Sequence, residues 1–152
     1  MMDENGIAYW QRVKQLAELC RQLRLHITWL WPAEVLRMGE QEGWQIVDVH
    51  PPGERRVSGI PPSTLSQDAF EAWTEANEPK RVLVYCVIGC HSGVYVPKLH
   101  KRGIRAADLW GGLLVWVQEG GTLVNPGGKE TRRVHVHGIP WDVLPPGYET
   151  VG

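Results

Sequence analysis

Apolar residues recur at helical spacing over residues 8–24: Val13, Leu16, Cys20 and Leu23 share one face, while Arg12, Lys14, Glu18 and Arg21 fall elsewhere on the wheel. This pattern predicts an amphipathic helix with Cys20 turned inward. In TWLWPAEVLRM, Pro32 suits a first helical position, where its missing amide proton leaves nothing unpaired. Val35 and Leu36 are then expected to face inward. WQIVDV, residues 44–49, is a short β run containing an acid, and the Pro- and Gly-rich PPGERRVSGIPPS after it reads as a loop. SQDAFEAWTEA returns to helical spacing through Ala69, Phe70 and Trp73, with Ser66 or Gln67 near its start. RVLVY is a buried strand, a helical segment runs to Arg102, and IRAADL is a further strand. WGG is a turn, and LLVWVQEG is a helix closed by Gly120.

Strand and helix alternate at intervals too long for hairpins, which predicts an α/β fold: a central, mostly parallel sheet with helices on both faces. One position strains the pattern. A helix counted from Ser92 holds Pro97 in its interior, costing about 3 kcal/mol or a kink, whereas a start near Val96 puts it in the first turn. From Gly121 the chain is loop-rich, through the alternating RRVHVHG to PWDVLPPGYETVG.

At 152 residues the chain is expected to be a single domain with a real core. The core spans about residues 28–124, with 8–24 an accessory helix and 125–152 a loop-rich extension of little regular structure. Trp10 and Trp141, two of eight tryptophans, are expected to anchor the extensions. The 16 basic and 17 acidic residues nearly cancel and no basic stripe stands out, which argues against a nucleic-acid partner. No apolar run reaches membrane-spanning length, and the polar MMDENG leads into no signal-peptide core, so a soluble cytoplasmic protein without a membrane partner is expected. Three cysteines make no secreted disulfide framework, and each is read as a thiol.

In an open α/β sheet, ligands collect at the carboxyl ends of the strands. Asp48-Val49-His50, Tyr85-Cys86 and Leu109-Trp110-Gly111 end there. After Cys86, the loop of Val87, Ile88, Gly89, Cys90 and His91 enters a helix near Ser92. If it curls around the sulfur, its amides and the helix amino end form a nest that stabilises a thiolate, lowering the pKa below the free value of about 8.5. The alternative is that Cys86 is simply a small apolar residue packed at a strand end.

In their order and spacing, IVDV with GE and GIP downstream, VLVYCVIGCHSG, KRGIRAADLWGG and WVQEGG resemble the rhodanese-like sulfurtransferase family, over roughly Thr28 to Val124. The resemblance implies that Cys86 carries a persulfide between a small sulfur donor and a thiol or protein acceptor, with no cofactor. It implies that Val87 to His91 form the cradle and that Asp48 sits on the neighbouring strand. His50 and Trp110 are candidates for the same pocket, Trp110 either as an apolar wall or as ordinary core. Active relatives usually place arginine where this chain has Val87 and His91, and commonly have Asp-Val-Arg where Asp48-Val49-His50 stands. Guanidinium forks suit anionic donors better than a neutral imidazole does, so weak thiosulfate turnover is expected.

Rival readings remain beside this one. Phosphatase chemistry wants arginine six positions after the cysteine, where Ser92 stands. A metal site would draw on Cys86, Cys90, His91, His135 and His137, but the Cys-x3-Cys spacing is looser than zinc sites favour. Cys90 could instead resolve an oxidised Cys86 as an internal disulfide, or merely fill the loop. The alternative of another class is a catalytically weak rhodanese-like module that binds a partner or works as a thiol-redox element. The sequence leaves oligomeric state open.

Overall fold

A computed structural model of the chain describes residues 4–22, 28–38, 44–49, 57–61, 64–87, 92–135, 145 and 147–151. Five strands form one sheet: β1 (Trp29–Leu30), β2 (Trp44–Asp48), β3 (Leu65–Ser66), β4 (Arg81–Tyr85) and β5 (Ala106–Leu109), in the order β1-β5-β4-β2-β3. Every pairing in it is parallel. The central β4 reads RVLVY with Val82 to Tyr85 all buried, because a strand covered on both faces has no polar side to alternate with.

Five helices are described: α1 (Glu4–Gln22), α2 (Pro32–Met38), α3 (Gln67–Thr74), α4 (Ser92–Lys101) and α5 (Gly112–Gln118). Parallel crossovers are right-handed. β1-α2-β2 crosses the sheet in one direction and β4-α4-β5 in the other, so α2 and α4 lie on opposite faces. One core therefore joins Leu83, Tyr85 and Leu109 to α1, α2 and α5 through Val13, Ala17, Val35 and Leu114. The other joins Val47, Val82 and Val84 to α3 and α4 through Phe70, Tyr95, Val96 and Leu99. Each fully buried Val or Leu contributes about 1.5–3 kcal/mol of transfer free energy.

The predicted elements form close to their expected bounds. Pro32 opens α2, Ser66 caps α3 by accepting from the Ala69 amide at 3.1 Å, and Gly120 (φ 92°) ends α5. Gly120 and Gly121 donate to the Val117 and Trp116 carbonyls, a Schellman closure that needs the left-handed conformation. α4 runs from Ser92 with Pro97 inside it, so the later start near Val96 is not the one adopted. Leu36 corrects an expectation: it is 39% exposed while Val35 is buried, because a seven-residue helix docks on α5 along a narrower stripe.

Trp10 packs half-buried against the first core, as an anchor should, whereas Trp141 and Leu23 lie outside the described residues. The tail is more regular than expected. β6 (Leu123–Val124) pairs antiparallel with β7 (Glu130–Thr131), and β8 (Arg133–His135) pairs parallel with β9 (Glu149–Val151). β8 lies within the alternating RRVHVHG, whereas β6, β7 and β9 are runs of two or three residues, too short to announce themselves by periodicity.

Candidate active site

Along β4, Val82 and Val84 face α3 and α4 while Leu83 and Tyr85 face the opposite core. Cys86 follows at the carboxyl end, 3% exposed, with Sγ 3.4 Å from the Ser92 hydroxyl. Ser92 is the first residue of α4, so the positive end of that helix dipole lies beside the sulfur, and Lys98, His100 and Lys101 match the negative end.

Ser92 Oγ also contacts Asp108 Oδ1 at 2.5 Å. Asp108 is on β5, opposite Val84 in register, and therefore on the face that carries α4. It is fully buried, and among the described residues its Oδ2 has no hydrogen-bond partner. Burial pushes its carboxyl well above the ordinary carboxylate range, while the Ser92 hydroxyl and the Leu109 amide pull partly back. A thiol, a hydroxyl and a buried carboxyl thus form one continuous hydrogen-bonded line.

Two glycines hold the cysteine from the other side. Leu113 and Leu114, early in α5, donate their amides to the Cys86 and Val87 carbonyls at 3.0 and 3.1 Å. Gly111 and Gly112 make the approach with φ of 73° and 59°. A Cβ on Gly112 would lie 2.2 Å from the Cys86 carbonyl oxygen, so only glycine fits.

Asp48 is buried and accepts from the Tyr85 hydroxyl at 2.8 Å, on the opposite sheet face from the Ser92–Asp108 line. The same hydroxyl accepts from the Ile60 amide at 3.1 Å, and Gly59 exchanges two backbone hydrogen bonds with Val124. Asp48 and Tyr85 therefore pin the Gly59-Ile60 turn. Trp110 is buried against Trp31, with ring centroids 4.3 Å apart. Trp31 is 47% exposed and follows β1, giving the carboxyl end of the sheet an apolar rim.

Of the residues singled out from sequence, Cys86 and Ser92 meet, Val87 docks on α5 through its carbonyl, Asp48 joins Tyr85, and Trp110 joins Trp31. Ile88, Gly89, Cys90, His91, His50 and His137 lie outside the described residues. The side chains of Cys20 and His135 are likewise outside the described set. Among the described residues no group of three or more His, Cys, Asp or Glu could hold a metal, and no helix is long and apolar enough to cross a membrane. Sequence reasoning missed Asp108. The signal was present: an acid inside the otherwise apolar AADL run must be paired or neutral when that strand is buried.

A parallel sheet in this strand order, flanked by helices on both faces, gives the chain a rhodanese-like α/β fold. The thiosulfate sulfurtransferase of Pseudomonas aeruginosa superposes with a TM-score of 0.60 at 22% identity, over 85% of this chain and 25% of that one. A rhodanese-like domain protein of Staphylococcus aureus gives 0.52 at 26% identity over 62% and 96%, and a rhodanese-related protein of Thermoplasma volcanium 0.54 at 23% over 64% and 97%. No family model and no curated protein matches the sequence.

Proposed function

We propose that the chain is a sulfurtransferase that carries a persulfide on Cys86. The observation that carries this reading is the Cys86 thiol at the carboxyl end of β4, against the first residue of α4, in a rhodanese-like fold. The Cys86 thiolate attacks the outer sulfur of a donor. Its electron pair forms the new S–S bond, and the donor fragment leaves with the pair of the broken bond. An acceptor thiolate then attacks the terminal sulfur of the persulfide, taking that sulfur and returning Cys86 as thiolate. The exposed Trp31 ring beside Trp110 supplies an apolar surface at that end of the sheet for the acceptor.

The 3% exposure of Cys86 favours a second reading, a catalytically weak binding or thiol-redox module. One experiment separates the two. The protein is incubated with several sulfur donors, and added sulfur is located by peptide mass spectrometry. Loading is expected on Cys86, absent in Cys86→Ser and retained in Cys90→Ser. Loading that survives Cys86→Ser but disappears in Cys90→Ser overturns the assignment, and no loading with any donor favours the module.

A further inference from the structure

We propose that Asp108 is the proton acceptor for Cys86, reached through the Ser92 hydroxyl. This deepens the preceding reading and rests on Cys86 being the working nucleophile.

Ser92 has one proton and can both donate and accept. Its 2.5 Å contact to Asp108 and 3.4 Å contact to Cys86 admit two arrangements. In the first, Ser92 donates to an ionised Asp108, and the Cys86 thiol donates to Ser92. In the second, a protonated Asp108 donates to Ser92, and Ser92 donates to the Cys86 thiolate. Passing between them moves the thiol proton to Ser92 Oγ as the Ser92 proton moves to Asp108 Oδ1. The number of protons and the net charge are unchanged. The negative charge is relocated from the carboxylate to the sulfur, which is the form that attacks.

The surroundings favour this transfer. Asp108 is fully buried, and its second oxygen lacks a hydrogen-bond partner among the described residues. A carboxylate so placed is a much stronger base than one in water. Cys86 instead lies at the amino end of α4, where negative charge is favoured. Among the described residues, the line is built by Cys86 from β4, Ser92 from α4 and Asp108 from β5, with Trp29, in register with Asp108, beside it on β1. Of the titratable α4 side chains, Tyr95 bonds Glu71 and His100 the Ala106 carbonyl, while Lys98 and Lys101 are exposed in the last turn, at the far end of the helix from Ser92. His91 precedes Ser92 and lies outside the described residues, so its titration has to be removed by substitution.

The test is the rate of Cys86 alkylation against pH, resolved by peptide mass spectrometry, in a His91→Ala background. Two groups that share one proton titrate in two macroscopic steps. The parent chain is expected to show two rises: one where a single negative charge is shared between sulfur and carboxyl, and one where both groups ionise. In Asp108→Asn the amide N–H holds Ser92 toward the sulfur, and a single rise of full amplitude is expected. In Ser92→Ala the first rise is expected to vanish, with the neutral-pH rate down by about tenfold or more, the consequence of a pKa one unit higher. Should Asp108→Asn fail to fold, the loss in Ser92→Ala and its return in Ser92→Thr decide the question. A single rise in the parent chain, or a profile unchanged by Asp108→Asn while stability changes, overturns the proposal and leaves Asp108 structural. Alkylation needs no sulfur donor, so failure of the relay and failure of sulfur transfer are read separately.

Discussion

Replacing Gly112 by alanine tests whether the turn after β5 sets the position of Cys86. Two costs add. At φ 59° an L side chain is strained by about 1–2 kcal/mol. The new Cβ also lands 2.2 Å from the Cys86 oxygen and 2.7 Å from the Val87 carbonyl carbon and oxygen. These are backbone atoms and cannot rotate away, so the Leu113 and Leu114 hydrogen bonds to those carbonyls must lengthen or break. Each is worth about 0.5–1.5 kcal/mol, so the loss totals about 2–5 kcal/mol. For a domain of this size that lowers Tm by roughly 4–20 °C. Gly103 supplies the control: its φ is 76°, but nothing lies within 4 Å of its Cβ position, so Gly103→Ala should cost only the backbone strain of about 1–2 kcal/mol. Denaturant unfolding of both variants measures the difference, and Cys86 alkylation should change in Gly112→Ala alone. Equal losses in the two variants would refute the claim that α5 braces the cysteine through these carbonyls.

Three further outcomes are expected. Tyr85→Phe removes the hydroxyl shared by Asp48 and the Ile60 amide, and should cost about 1–3 kcal/mol and speed amide exchange at Ile60; unchanged exchange would count against the pin. Asp108 has a folded pKa raised above its unfolded value of about 3.9, so the folded state binds more protons and the group's favourable contribution is lost as pH rises through the raised pKa. Stability of the parent chain relative to Asp108→Asn should therefore fall with rising pH above about 3.9, and a constant difference would show that Asp108 does not titrate as described. Thiosulfate:cyanide turnover should be weak and should rise in His91→Arg, which adds an anion-binding fork to the loop, whereas Val87 packs in the core and cannot take one; robust turnover at neutral pH that is unchanged in His91→Ala would contradict this.

The chain alone determined the alternation of strands and helices, and with it the parallel sheet and the position of Cys86 at a strand's carboxyl end. Those features are written in local pattern: four consecutive apolar residues in RVLVY, helical spacing in α1 and α3, and glycines where helices begin and stop. Pro97 could be placed in either of two helical frames from sequence, and packing of Tyr95, Val96 and Leu99 under the sheet selected the longer one. The partners of the buried polar groups belonged to the tertiary structure. Asp108 meets Ser92 from 16 residues away, and Tyr85 meets Asp48 across 37. No local pattern encodes which acid a hydroxyl will find, because that depends on strand order and on which face each side chain takes. The same holds for Gly112: its sequence context marks a turn, and only the packing of α5 against the end of β4 shows that a methyl group there would strike the backbone of Cys86.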